Sequence, residues 1–198
     1  MLLAIDSATA ACSAALIDGE SLIDERYELV GRGHAERLLP MIEELLAGRR
    51  PSAILVDCGP GSFTGVRVGL AAAHGLAIGW GVELSGYSSM AAVAAAAGTE
   101  AVALNGGHGQ LFVQNFAHDP LRPVDALQSL LPEDAAVAVS AERIAGSGAG
   151  ALVSARGRGE AIDLLPRAAY ARFLPEELRG LSARPIYGRA PDAKPMPA

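Results

Sequence analysis

Two short segments of this sequence carry residues that could contact a phosphate group or a nucleotide. Asp6-Ser7-Ala8-Thr9 places a carboxylate and two hydroxyls directly after an apolar stretch. The segment 59–65, Gly-Pro-Gly-Ser-Phe-Thr-Gly, lies between another apolar stretch and a long Ala- and Gly-rich one. Unpaired N–H groups at a helix start attract anions, and glycines let a ligand approach the backbone. The candidate contacts are Asp6, Ser7, Thr9, Gly59, Gly61, Ser62, Thr64 and Gly65.

The glycine-rich segment matches none of the established phosphate-binding or nucleophile motifs. Its third glycine comes one residue too late for GxGxxG, and no Lys-Ser or Lys-Thr follows Gly65 as in a P-loop. Pro60 replaces the first glycine of GxSxG. The glycines could instead serve packing alone, at a corner between a strand and a helix that Ser62 or Thr64 caps. Both interpretations stay open.

No complete set of catalytic or metal-binding residues is visible. The histidines form neither an HxxxH nor an HExxH pair; they are His34, His74, His108 and His118. Ser7 and Ser62 have no adjacent His and Asp that would activate a nucleophile. We therefore expect no catalytic residue, no metal site and no intrinsic cofactor.

The composition predicts a folded cytoplasmic protein that does not bind nucleic acid by itself. Of 198 residues, 51% are hydrophobic, enough for the core of one domain or two small lobes. The net charge of −6 opposes binding of nucleic-acid phosphates by this chain alone. Cys12 and Cys58 lack metal-type spacing and are predicted to be buried thiols. We expect neither a signal peptide nor a membrane span.

The order of predicted elements in the first half describes a ribonuclease-H-like lobe. Hairpin-linked strands followed by crossover helices indicate a mixed five-stranded sheet with helices on its faces. This arrangement occurs twice in actin-like folds, so the predicted class is α/β with two lobes. The strands are predicted at residues 2–6, 12–17, 22–29, 53–57 and within 81–86, and the helices at 34–46, 66–80 and 89–97.

The second half begins the pattern again, but less regularly. We predict a first lobe over residues 1–99 and a reduced second lobe over residues 100–198 that ends in an extended, partly mobile tail. The predicted elements are strands at 101–105, 110–116 and 135–140, a loop at 146–150 and a helix at 161–173 broken at Pro166.

Four parts of the chain share their residues with one known family. They are residues 4–9 with 12–16, the run His-Ala-Glu-Arg-Leu-Leu-Pro at 34–40, GPGSFTGVRVG at 59–69, and Tyr187-x-Arg189-x-Pro191-Asp192-Ala193-Lys194. In these parts the chain resembles the TsaB (YeaZ-like) family, the non-catalytic subunit of the bacterial tRNA threonylcarbamoyladenosine machinery.

The resemblance implies an actin-like fold and a heterodimer with a TsaD-like catalytic subunit of the same fold. That enzyme transfers a threonylcarbamoyl group to the adenosine beside the anticodon, and a TsaE-like ATPase joins the assembly. tRNA is then contacted only through the complex, and ATP or ADP is expected only at the partner junction.

The resemblance also implies that docking involves the two helices of the first lobe. The interface candidates are His34, Leu38, Met41, Leu45, Arg67, Val68, Leu70 and His74. The alternative for each is that it fills the core of its own lobe. Alone, the chain is expected to form a homodimer over the same surface.

The chain departs from the family pattern in its second half. The family's charged Asp-Ala-Arg-x-x-Glu run is replaced by Asn105-Gly106-Gly107-His108-Gly109-Gln110, which puts a charged role of the cleft in doubt. Two alternatives to a scaffold subunit remain: a stand-alone actin-like ATPase or phosphotransferase using residues 6–9 and 59–65, and a metallopeptidase.

Overall fold

The first half of the chain forms a mixed sheet of five strands. In this computed structural model, which describes residues 1–189, β1 (Leu2–Asp6), β2 (Ala11–Asp18) and β3 (Ser21–Leu29) are antiparallel neighbours. β4 (Ala53–Asp57) and β5 (Glu83–Tyr87) continue the sheet parallel to β1. The spatial order β3-β2-β1-β4-β5 is that of a ribonuclease-H-like lobe and confirms the predicted sheet.

Three helices cover the two faces of this sheet. α1 (His34–Leu46) and α2 (Phe63–Trp80) pack on the face that carries Leu3 and Ile5, whereas α3 (Ser89–Ala97) belongs to the core on the opposite face. Successive side chains of a strand point to opposite faces, so the apolar residues of each strand contribute to the cores on both faces of the sheet. α1 continues through Pro40, and the Ser62 hydroxyl caps α2 by accepting the Gly65 N–H at 3.3 Å.

The second half forms another mixed sheet with shorter strands. The spatial order is β11-β10-β6-β7-β8, and β9 pairs with β7. The strands are β6 (Ala101–Gly107), β7 (Gln110–Ala117), β8 (Arg122–Pro123), β9 (Gln128–Leu130), β10 (Arg143–Ala145) and β11 (Glu160–Ile162). The helices are α4 (Pro132–Ala138), α5 (Ala149–Arg156) and two short 3₁₀ helices, Ala168–Phe173 and Glu176–Leu178. The two-lobed α/β class is the one predicted.

Two predicted elements of the second half were wrong. The strand predicted at 135–140 lies mostly in α4, because Pro132 at its first turn and two acidic residues behind it start a helix. The helix predicted at 161–173 begins instead with β11, whose backbone pairs in parallel with β10. Only its last six residues are helical, as a 3₁₀ helix after Pro166. The predicted loop at 146–150 is shorter than predicted, because α5 already begins at Ala149.

β6, the first strand of the second sheet, follows α3 directly and begins near the predicted lobe boundary. Segments from the second half return to the first sheet: the backbones of Leu181 and Gly86 exchange two hydrogen bonds, and Ile186 N donates to Cys58 O at 2.7 Å. The division into 1–99 and 100–198 remains a prediction. Of the predicted tail, residues 190–198 lie outside the described residues.

Both cysteines are buried and unpaired, as predicted. Burial raises the pKa of each thiol to about 11, which keeps the sulfur protonated and unreactive at neutral pH. Among the helices of residues 1–189, none is both long enough and apolar enough to cross a membrane.

Candidate functional site

The glycine segment is packed directly against the turn that follows β1. Ser62 N donates to Ala8 O at 2.6 Å, and the Ser7 hydroxyl donates to Gly65 O at 2.9 Å. A Cβ at Gly61 would lie 2.1 Å from Ala8 O, and one at Gly65 would lie 2.1 Å from Ser7 O. Since no side chain tolerates such distances to backbone oxygens, these two glycines have a packing role that explains them without a ligand.

Asp6 and Asp57 end neighbouring parallel strands and meet in the interior. Their side chains are only 1% and 2% exposed. Asp57 accepts hydrogen bonds from Gly59 N at 2.9 Å and from the Ser89 hydroxyl at 2.6 Å. Asp6 Oδ1 accepts from Ala8 N at 3.1 Å.

Burial raises the pKa of both carboxyls of this pair. Burial raises the pKa of Asp6 well above its ordinary value, and the charge of Asp57 raises it further; burial raises the pKa of Asp57 to about 6. Asp6 Oδ2 is buried without a hydrogen-bond partner among the described residues, which also favours the protonated form of this carboxyl. The sequence interpretation did not include Asp57 among the site residues. The signal that could have found it is its position at the end of β4, the strand beside β1.

A cleft of about 720 Å³ lies between the lobes, a size that suits a small molecule. Of the predicted contacts, Thr9, Gly61 and Ser62 line one wall of it. Asp6, Ser7, Gly59, Thr64 and Gly65 do not line it. The other walls come from residues 104–108, Ser147 and residues 186–189, none of which was predicted to face a ligand.

The chemistry of this cleft does not fit a metal-bound nucleotide. No acidic side chain is among its described lining residues, and Asp6 is turned into the interior. Mg²⁺ is held by carboxylates together with phosphate oxygens. Within residues 1–189, no group of three or more His, Cys, Asp or Glu side chains could hold a metal ion.

Several predicted interface residues lie in the core of the first lobe. Leu38, Met41 and Leu45 of α1 are at most 1% exposed, and Leu70 of α2 is 5% exposed. His34 is also buried, and its Nε2 lies 2.8 Å from Thr9 O, which ties the start of α1 to the turn after β1. These five side chains are therefore placed to stabilise the lobe itself.

The remaining interface candidates lie on an accessible face of α2. Arg67 and His74 are exposed and Val68 is half-buried. Ile78, on the same helix, is 83% exposed. A Cβ at Gly75 or Gly79 would meet no atom within 4 Å, although each glycine costs about 1 kcal/mol of helix stability relative to alanine. Within residues 1–189 these two glycines have no packing role, and Ile78 is the residue that the sequence interpretation missed.

Comparison with known proteins identifies the family. The family described as "TsaD: tRNA N6-adenosine threonylcarbamoyltransferase" matches residues 27–135, more than half of the chain. The solved structure of YeaZ from Pseudomonas aeruginosa is similar, with 32% sequence identity and a TM-score of 0.77 over 94% of this chain and 98% of that chain. The chain belongs to the TsaB (YeaZ) family.

Two curated TsaB relatives, both called tRNA threonylcarbamoyladenosine biosynthesis proteins, match about half of this chain. The protein from Escherichia coli K12 is 41% identical over 98 residues, which are 47% of this chain and 42% of that protein. The protein from Haemophilus influenzae is 45% identical over 102 residues, 48% of this chain and 42% of that protein. The chain thus spans less than half the length of the curated TsaB proteins that it matches. The residues matched by the family description, 27–135, contain both α1 and α2.

Proposed function

We propose that this TsaB-family chain is a non-catalytic subunit that docks onto a TsaD-like enzyme and supports N6-threonylcarbamoylation of the adenosine next to the anticodon of tRNA. The observation that carries the proposal is the exposed, small-residue face of α2. It unites Ile78, Gly75 and Gly79 on a helix that lies within residues 27–135, the part of the chain that matches the family.

The shape of this face suits a second helix. Glycines without Cβ atoms let another helix backbone approach closely, and an exposed isoleucine between them supplies apolar area for the contact. Because the matching family description is that of TsaD, the proposed partner has a related fold and can offer the equivalent helices. A compact four-helix contact between two related first lobes would result.

A scaffold role also agrees with the chemistry of the cleft. Its described walls carry no carboxylate for Mg²⁺, and the two glycines that could have held a phosphate are occupied by the turn at residues 7–8. This opposes the stand-alone ATPase or phosphotransferase. We place ATP or ADP only at the partner junction, tRNA and a TsaE-like ATPase only in the assembled complex, and the whole assembly in the cytoplasm.

Size-exclusion chromatography with light scattering tests the docking directly. The wild-type chain mixed with the TsaD-like protein of the same cell should elute as a heterodimer. Ile78→Arg should abolish this species because it puts a charge in the contact. Val137→Arg is the matched control: Val137 is 87% exposed, but it lies on α4 of the second lobe.

The same experiment run on the chain alone tests the homodimer. We expect a homodimer that Ile78→Arg converts to a monomer. If Ile78→Arg leaves the heterodimer intact while Val137→Arg breaks it, docking on α2 is wrong. If the wild-type chain and the TsaD-like protein do not associate, with or without ATP and Mg²⁺, the scaffold function itself is wrong.

A further inference from the structure

Residues 181–189, called here the C-terminal strap, cross from the second half of the chain over the edge of the first sheet. Leu181 and Gly86 exchange two backbone hydrogen bonds, and Ile186 N donates to Cys58 O at 2.7 Å. A Cβ at Gly86 would meet carbonyl oxygens of the strap at 3.2 and 3.3 Å. The strap therefore lies tightly on the ends of β5 and β4.

The end of the strap is also a wall of the interlobe cleft. Residues 186–189 line the cleft together with residues 60–63 of the first lobe and 104–108 of the second. A Cβ at Gly188 would lie 2.3 Å from the ring of Phe112, so the strap touches the second lobe as closely as the first. Displacing it would open the cleft on this side.

The strap is held from outside by the proposed docking helix. The Arg67 guanidinium donates to the Tyr187 hydroxyl at 3.0 and 3.2 Å, and it lies 3.6 Å above the ring of Phe63. The Phe63 and Tyr187 rings are 5.4 Å apart. Farther along α2, His74 Nε2 lies 3.1 Å from Ala183 O.

The exposed face of α2 and the strap are continuous. An open groove of about 460 Å³ between them is lined by Ile78 and His74 on the helix side and by residues 182–184 on the strap side. A protein that covers Ile78 and fills this groove therefore also contacts the strap and His74.

We propose that the C-terminal strap couples the α2 face to the interlobe cleft: a partner that binds Arg67 and His74 draws them from the strap and opens the cleft wall. The partner half of this inference rests on the proposed function. An acidic side chain or a helix C-terminus on the partner would compete with the Tyr187 hydroxyl for the Arg67 guanidinium. Because coupling between two sites is reciprocal, loosening the strap must in turn strengthen partner binding.

Hydrogen exchange of the isolated chain tests the wall without any partner. The Gly86 and Ile186 amides report on the strap, and the Cys58 amide, bonded to Tyr87 O inside the first sheet, is the internal control. Gly188→Ala should speed exchange of the Gly86 and Ile186 amides about tenfold or more, because the methyl group collides with Phe112. Gly180→Ala, where a Cβ meets nothing within 4 Å, should change neither. Unchanged exchange rates of the Gly86 and Ile186 amides in Gly188→Ala would overturn the proposal.

Exchange in the heterodimer with the TsaD-like protein tests the coupling. The Gly86 and Ile186 amides should exchange faster in the complex than in the free chain. Tyr187→Phe, which keeps the ring but removes the acceptor of Arg67, should bind the partner about threefold more tightly. If the Gly86 and Ile186 amides are protected in the heterodimer as well as in the free chain, or better, the coupling is wrong while the docking proposal stays intact. Absence of any heterodimer refutes the proposed function and the coupling, while the Gly188→Ala result still decides whether the strap is a wall.

Discussion

Asp6 and Asp57 sit where β1 and β4 end side by side, and their position makes folding depend on pH. The pKa of Asp57 is raised from 3.8 to about 6, and that of Asp6 is raised well above its ordinary value. A carboxyl whose folded-state pKa is raised stabilises the fold below its unfolded pKa and loses this contribution as the pH rises.

We therefore expect the free energy of unfolding to fall as the pH rises from about 4 to above 6, by on the order of 3 kcal/mol for a carboxyl shifted as far as Asp57. Asp6→Asn should make this fall smaller, because it removes a buried carboxyl whose pKa is raised by burial and by the charge of Asp57. Urea denaturation between pH 4.5 and 8.5 measures it, with the exposed Asp18→Asn as control. A wild-type stability that rises over this range would contradict the raised pKa of these carboxyls.

Two glycines of α2 should respond in opposite directions to the same substitution. Gly65→Ala should cost about 1–3 kcal/mol, because its Cβ would lie 2.1 Å from Ser7 O. Gly75→Ala should instead stabilise the isolated chain by about 1 kcal/mol, since it gains helix propensity and meets nothing within 4 Å. Thermal or urea denaturation of the two variants separates these effects. If Gly75→Ala destabilises the chain, this part of α2 is not an open face.

At the scale of elements, α2 does two different tasks on its two sides. Its buried side packs against the turn after β1. A Cβ at Gly69, which lies on this side of α2, would be 2.6 Å from the Ser7 hydroxyl oxygen. Its exposed side has small residues that nothing in the described chain requires. A helix with a packing reason for one set of glycines and none for another is expected where the second set meets a different molecule.

A large side chain on the exposed side should therefore separate docking from folding. Gly75→Leu should leave the stability of the isolated chain close to that of Gly75→Ala, because the position is open. Binding of the TsaD-like protein should weaken about tenfold or more, because overpacking of a close helix contact costs about 1–3 kcal/mol. Isothermal titration calorimetry measures the affinity, and Gly150→Leu on α5, which also meets nothing within 4 Å, is the control. Equal weakening by both variants would argue against a contact at α2.

The elements of the first lobe were predictable because their signals are local. Asp18-Gly19 marks the hairpin, and the apolar strands and Ser62 mark the boundaries of α2. The second lobe was harder. Residues 135–140 are alanine- and valine-rich without a clear period, so the helix start at Pro132 was the better signal and was missed.

The site was less predictable than the fold, because it depends on distant contacts. The sequence pointed to the glycine segment, but only the structure shows residues 7–8 filling it. Apolar periodicity on α1 and α2 could not separate the buried Leu70 from the exposed Ile78. The strap has no periodic pattern at all, and its contacts with Arg67 and Phe112 join residues far apart in the sequence.

At the scale of the whole molecule, the two halves are also joined at the sheet edge opposite the strap. The Arg167 guanidinium makes a bidentate contact with Glu25 of β3, with Nε to Oε1 at 3.0 Å, and lies 4.4 Å above the ring of Tyr27. Ala168 N donates to the buried Ser13 hydroxyl at 2.9 Å. This contact fixes the 3₁₀ helix Ala168–Phe173 on the first sheet.

Arg167→Lys should destabilise the protein by about 1–2 kcal/mol, because lysine keeps the charge but loses the bidentate geometry and the stacking. Arg143→Lys provides the matched control. Its partner Glu160 and Arg143 are both more than half exposed, so this change should cost little. Urea denaturation measures the free energy of unfolding of both variants. Equal losses would show that the Arg167 contact contributes no more to stability than an exposed ion pair.

We propose that this chain supports tRNA modification by docking through α2 and not by chemistry of its own. Reconstituted threonylcarbamoylation of tRNA, with the TsaD-like and TsaE-like proteins and threonylcarbamoyl-adenylate, tests it most directly. We predict that product forms only when this chain is present, that Ile78→Arg abolishes it, and that Val137→Arg does not. Modification that proceeds equally without this chain, or with Ile78→Arg in its place, would contradict the claim.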